Sequence, residues 1–132
     1  MSRVALDTSA YSAFKRNHTE VVRRLRRARE ILIPTIVLGE LLGGFEAGGR
    51  ARRNRDELRH FIESPRVRLA PITRETAERY AAIYASLRAS GHPIPTNDLW
   101  IAASTMEHGT ELLTLDRDYR HVPQILVALF DP

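Results

Sequence analysis

The sequence predicts an α/β fold, a three-layer α/β/α sandwich around a mainly parallel central sheet, and three observations lead there. Short apolar runs recur along the 132-residue chain, longer stretches with apolar residues at helical spacing separate them, and Gly and Pro punctuate the junctions. Strands that alternate with helices form βαβ units, because parallel neighbours need a crossover about as long as a helix. The length suits a single domain, taken as residues 1–132. A hydrophobic content of 43% with 27% charged residues is that of a globular protein rather than a disordered or fibrous one.

The first strand is Val4 to Leu6, ending at Asp7, and Asp7-Thr8-Ser9 offers capping side chains to a helix carrying Tyr11 and Phe14. From Thr19 to Arg29, Val21, Val22, Leu25 and Ala28 fall at helical spacing among five arginines. Ile31 to Ile33 reads as the second strand. Pro34-Thr35 then starts a helix through Ile36 to Leu42, which Gly43-Gly44 and Gly48-Gly49 end flexibly. Arg50 to Ser64 is helical, Val67 to Leu69 is the third strand, and Thr73 to Ser90 is the longest helix, with Ala77, Tyr80, Ala81, Tyr84 and Leu87 on one stripe. After Gly91 to Pro95, Thr96-Asn97-Asp98 caps a helix from Leu99 to His108, which Gly109 stops. Leu112 to Leu115 is a strand delivering Asp116, and Ile125 to Phe130 is the last.

The composition excludes several chemistries. With no cysteine there are no disulfides, thiolate zinc sites or thiol nucleophiles, so reactive groups must be oxygen or nitrogen. The N-terminal apolar patch is too short and too interrupted for a signal peptide or a membrane span, which makes the cytoplasm the expected location and a membrane an unexpected partner. A net charge of +4, with one lysine (Lys15) among 20 basic residues, suits a polyanion, although such arginines also solvate helix faces.

Four acids stand out by position. In parallel α/β sheets ligands bind beyond the carboxyl ends of the strands, where Asp7 and Asp116 fall; Asp98 opens a helix and Glu40 lies inside another. Asp7 and Asp98 also read as helix caps and Asp116 as the start of an Asx-turn. Glu40 lies in the apolar run Ile36 to Leu42, where an unpaired carboxylate is costly, so caps and turns do not explain it. Two carboxylates about 4 Å apart repel by roughly 4 kcal/mol at an effective dielectric near 20, so four that converge need a cation. All-oxygen ligands select hard ions, Mg²⁺ or Mn²⁺, which acidify bound water and stabilise charge on a phosphodiester.

With these residues placed, the sequence resembles the PIN-domain nucleases, in particular the VapC toxins of VapBC toxin–antitoxin systems. The resemblance is carried in order by Val4-Ala5-Leu6-Asp7-Thr8-Ser9, by Ile33-Pro34 with Glu40-Leu41, by Pro95 to Ala103, and by Leu113-Thr114-Leu115-Asp116-Arg117-Asp118-Tyr119. It implies a PIN-like sandwich and a metal-dependent endoribonuclease that cuts RNA by metal-assisted water attack. Asp7, Glu40, Asp98 and Asp116 then occupy the family's catalytic, metal-binding positions, Ser9 and Thr114 are supporting hydroxyls, and Asp118 is a further acid. It also implies a homodimer and a VapB-type antitoxin whose C-terminal segment wraps the toxin. Alternatives within the family are a non-toxin nuclease of RNA processing and a catalytically silent module that binds RNA or protein.

Arg50, Arg52, Arg53 and Arg55 are candidates for holding RNA phosphates, with a solvated helix face as the competing reading. The five histidines show no metal-binding spacing and read as surface or capping residues. Trp100, Tyr80 and Tyr84 read as core. A phosphatase or phosphoacceptor on a similar sheet would need a lysine after a later strand, and Lys15 lies in the first helix.

Overall fold

The computed structural model describes residues 2–132, and its elements follow the alternation expected from the sequence: β1 (Ser2–Leu6), α1 (Thr8–Lys15), α2 (Thr19–Arg27), β2 (Ala28–Pro34), α3 (Thr35–Ala47), α4 (Ala51–Ile62), β3 (Val67–Ala70), α5 (Arg74–Ser90), α6 (Thr96–His108), β4 (Glu111–Thr114), a 3₁₀ turn (Arg117–His121) and β5 (Leu126–Leu129). The five strands form one sheet in the order β3-β2-β1-β4-β5, and every pairing is parallel. The chain steps outward from β1 to β3, then returns through α5 and α6 to place β4 on the other side of β1. Right-handed crossovers put the helices of the outward and return legs on opposite faces of the sheet. The strand order therefore reverses between β1 and β4, the place where an open α/β sheet leaves a crevice at its carboxyl edge.

Covering on both faces explains why β1, β2 and β4 are apolar runs rather than alternating ones. Val4, Ala5, Leu6, Ile33, Leu112 and Leu113 are fully buried. The middle of α6, Leu99 and Ile101 to Thr105, is buried as well, because that helix lies against the sheet with α5 packed over it. Among the described residues no helix is long and apolar enough to cross a membrane.

Three local expectations are corrected. The second helix stops at Arg27 rather than Arg29: Ala28 turns to extended geometry and pairs with Ser2, while Nη1 of Arg66 donates to the carbonyls of Leu25 (2.8 Å) and Ala28 (2.6 Å), satisfying acceptors at the helix end. Gly43-Gly44 do not end α3, which runs on to Ala47, because Phe45 packs on the core and tertiary contact outweighs the low helix propensity of glycine. Nor is the expected α5 stripe its buried face. Thr76, Ile83 and Leu87 point inward, whereas Ala77, Ala81 and Tyr84 are exposed, Tyr84 at 45%. The cause is that α5 packs on α6, and Thr76 turns in to donate to Glu107 at 2.6 Å. Tyr80 and Trp100 are half-buried, their ring centroids 4.3 Å apart, so they edge the core rather than fill it.

Candidate active site

Asp7 follows directly on β1, and its carboxylate is the most buried of the candidate acids, at 4% exposure. Its Oδ1 accepts from the backbone N–H of Ala10 (2.8 Å), capping α1 as the sequence allowed, and from Ser9 Oγ (2.7 Å). Oδ2 accepts from Thr114 Oγ1 at 2.5 Å. Thr114 is the last residue of β4, so this bond ties the carboxyl ends of the two central strands together. Thr114 Oγ1 in turn accepts from the N–H of Asp116 (2.9 Å), and Ser9 Oγ accepts from the N–H of Leu115 (3.0 Å). Both hydroxyls thus connect Asp7 to the segment that carries Asp116.

Asp116 makes the Asx-turn anticipated for it: Oδ1 accepts from the N–H of Asp118 at 2.9 Å and opens the 3₁₀ turn. This brings Asp118 round to the same side. Asp98 is not the cap of α6. That position falls to Pro95, and α6 starts at Thr96, which leaves the carboxylate of Asp98 in the first helical turn, free to face the crevice. Asp98, Asp116 and Asp118 each offer an oxygen within 4.8 Å of the others.

Glu40 lies one turn and a half into α3 and is neither deeply buried nor unpaired, contrary to the expectation from its apolar run. Thr8 Oγ1 donates to Oε1 at 2.5 Å and Asn97 Nδ2 to Oε2 at 3.2 Å. Thr8 and Asn97 were legible in the sequence only as capping residues; here they clamp Glu40 between the starts of α1 and α6. The residue missed outright is Tyr119. It is 1% exposed, and its hydroxyl is turned to Asp98, where it favours the charge of that carboxylate as a donor does but falls short of a well-formed hydrogen bond.

The acids influence one another. Burial, followed by the nearby Asp116 and then by Glu40 and Asp7, pushes the Asp98 carboxyl up to about 6. Burial also raises Asp7, against the three hydrogen bonds that favour its charge. The Tyr119 phenol is raised far above its ordinary range by burial and by the negative charges of Asp98, Asp7 and Asp116. Although the chain has 20 basic residues, its ion pairs all use other acids, and among the described residues no arginine or lysine pairs with Asp7, Glu40, Asp98, Asp116 or Asp118.

The four candidate arginines divide. Arg50 and Arg53 line a cleft between α1, α3 and α4 floored by Leu41 and Phe45, while Arg52 and Arg55 line the apolar groove on the other side of α4 with Leu38 and Leu42. Arg55 is held by Glu46 at 3.0 Å. None of the four pairs with an acid of the site. Lys15 lies 3.7 Å from Glu57 and takes no part. Of the histidines, His18 caps α2, its Nδ1 facing the N–H of Val21 at 3.4 Å, and His92 stacks on His121 with centroids 4.0 Å apart.

Known proteins are similar to this chain in sequence and in fold. The PIN domain family matches residues 4–125. Ribonuclease VapC4 of Mycobacterium tuberculosis is 34% identical over 96 residues, 72% of this chain and 73% of that protein. Among solved structures, VapBC2 from Rickettsia felis bound to a DNA fragment from their promoter superposes with a TM-score of 0.84 at 22% identity, covering 97% of this chain and 98% of the other. The Mycobacterium tuberculosis VapC20 structure, described as a sarcin-ricin loop cleaving toxin, does so with a TM-score of 0.71 at 17% identity, covering 91% and 95%. The solved structures share the fold; the family match and the VapC4 relative go further, and on them the chain belongs to the PIN-domain family, alongside the VapC ribonucleases.

Proposed function

We propose that this chain is the toxin of a type II toxin–antitoxin pair, an endoribonuclease that hydrolyses RNA phosphodiester bonds with Mg²⁺, or Mn²⁺ in its place, and is held inactive by a VapB-type antitoxin. The observation that carries the metal site is that, among the described residues, no basic side chain pairs with any of the five acids Asp7, Glu40, Asp98, Asp116 and Asp118, in a protein where cations are abundant. Uncompensated carboxylates at that spacing repel by several kcal/mol, and an all-oxygen donor set fits a hard divalent cation. Asp7, Glu40, Asp98 and Asp116 would hold it, with Asp118 adjoining. When bound, the ion supplies an acidified water and a countercharge for the phosphodiester. The chain's own contribution is orientation: Ser9, Ala10 and Thr114 fix Asp7, and Thr8 and Asn97 fix Glu40.

The VapC4 relationship supports RNA as the substrate. Arg50 and Arg53, which line the cleft between α1, α3 and α4, are the arginines that would take RNA phosphates. Homodimerisation is part of the same reading, with the exposed α5 face around Ala77, Ala81 and Tyr84 as the surface that a second copy would cover.

The test is cleavage of total RNA by the purified protein with Mg²⁺, with Mn²⁺ and in EDTA, alongside growth on expression with and without the small open reading frame next to its gene. Metal-dependent cleavage and growth arrest relieved by the neighbour are expected. Undiminished cleavage in EDTA would sink the metal mechanism, and binding of RNA without cleavage in any metal would identify a silent module.

A further inference from the structure

The 3₁₀ turn that presents Asp116 and Asp118 ends its first turn on Tyr119, so three of four successive residues of one short segment are committed to the same place. Tyr119 is packed as tightly as any core residue. A phenylalanine would fill that space equally well, and a buried hydroxyl left without a partner costs about 1–3 kcal/mol. Such a group in a folded protein calls for an explanation. The other buried polar atoms without partners, on Ser104, His108, Thr110 and Gln124, are not among the site acids. The Tyr119 hydroxyl differs in that it faces Asp98, and Asp98 accepts no well-formed hydrogen bond from any other donor, whereas Asp7 accepts three, Glu40 two and Asp116 one.

We propose that Tyr119 is the positioning residue for Asp98: its hydroxyl is held in reserve to donate to that carboxylate once Asp98 serves as a metal ligand, fixing its orientation as Thr114 fixes that of Asp7. The inference rests on the metal-site reading above. Carboxylates that bind metals are themselves held by hydrogen bonds, and loss of such a partner typically costs about 10–100-fold in affinity. The phenol is suited to the task because its hydroxyl carries one proton to donate and a carboxylate can only accept. The hydroxyl thus has only a poorly formed contact with Asp98 in the metal-free fold and completes it on loading.

This makes Tyr119→Phe diagnostic, because a structural role and a positioning role predict opposite results. Metal binding is measured without RNA, by calorimetric titration with Mg²⁺ and Mn²⁺ and by the metal-induced rise in Tm, for wild type and Tyr119→Phe. Cleavage is then followed across Mg²⁺ concentration. The expected result has three parts: an unchanged or higher Tm for the metal-free variant, a metal affinity at least about 10-fold weaker, and cleavage that recovers towards the wild-type rate as Mg²⁺ is raised. A variant that binds metal as tightly as the wild type overturns the proposal while leaving the metal site standing. A fall in the metal-free Tm that accounts for the loss of binding overturns it in favour of a packing role. If the wild type itself takes up no divalent ion, the metal site falls and this inference with it.

Discussion

Neutralising Asp98 should make the metal-free protein more stable while abolishing its activity. Asp98 carries a carboxyl raised from an ordinary 3.8 to about 6, first by burial and then by Asp116, Glu40 and Asp7. That displacement corresponds to about 3 kcal/mol against the ionised form. Solvent screens a carboxylate that is only half-buried, so we expect about 1–2 kcal/mol in practice. The sign follows from proton uptake. Between about pH 4 and pH 6 the folded chain keeps this proton when the unfolded chain has lost it, so stability falls as pH rises through that window and stays lower above it. Asp98→Asn, which has no charge to bury, removes the penalty. In EDTA at pH 7 its Tm should exceed that of the wild type by roughly 4–8 °C for a chain of this size. The two unfolding curves should converge as pH drops to about 4, and RNA cleavage should be lost. Urea titrations of both proteins at pH 4, 5, 6 and 7 provide the assay. A gap that does not narrow toward low pH, or an Asp98→Asn protein less stable than wild type at pH 7, would refute the reasoning.

Other outcomes follow from single contacts. Thr114→Val removes both the donor to Asp7 and the acceptor for Asp116 N–H, and should cost about 1–3 kcal/mol in denaturant unfolding and raise the Mg²⁺ needed for half-maximal cleavage. Gly44→Ala adds a methyl group into open space on a continuing helix and should stabilise by about 0.5–1 kcal/mol. Gly109→Ala, at φ +62 in the left-handed turn that ends α6, should destabilise by about 1 kcal/mol or more; thermal melts of the pair distinguish the two glycines. Replacing Arg50 and Arg53 together by Ala should weaken single-stranded RNA binding and flatten the slope of log K against log salt by roughly 1.4, with the rate at saturating RNA little changed.

Strands were legible where burial on both faces makes them apolar, as in β1 and β4, and helix starts were legible from their polar first turns. The ends were not. Where α2 stops depends on Arg66, some forty residues later in the chain, and where α3 stops depends on what Phe45 packs against. The face of α5 was misread because the pattern shows which residues are apolar, whereas the choice of inward face was made by α6. Within the site, Asp7 and Asp116 could be placed by the rule that strand ends face the ligand. Glu40 was singled out for burial that it does not have. The hydrogen bonds that Thr8 and Asn97 give it join segments distant in sequence, which local patterns do not encode. Tyr119 was hidden for a simpler reason: a tyrosine after an Asx-turn looks like any core aromatic until its hydroxyl is seen without a partner.

The bond from Thr114 to Asp7 spans 107 positions of the chain, and β4 can only be added beside β1 after everything between them has been made. Contacts of such sequence separation form late, because the loop they close must be ordered first. During synthesis the emerging N-terminal half carries Asp7 and Glu40 but neither Asp98 nor Asp116. Strand order thus sets a sequence of assembly: on the proposed reading, the acids would come together only after β4 has been made and added beside β1.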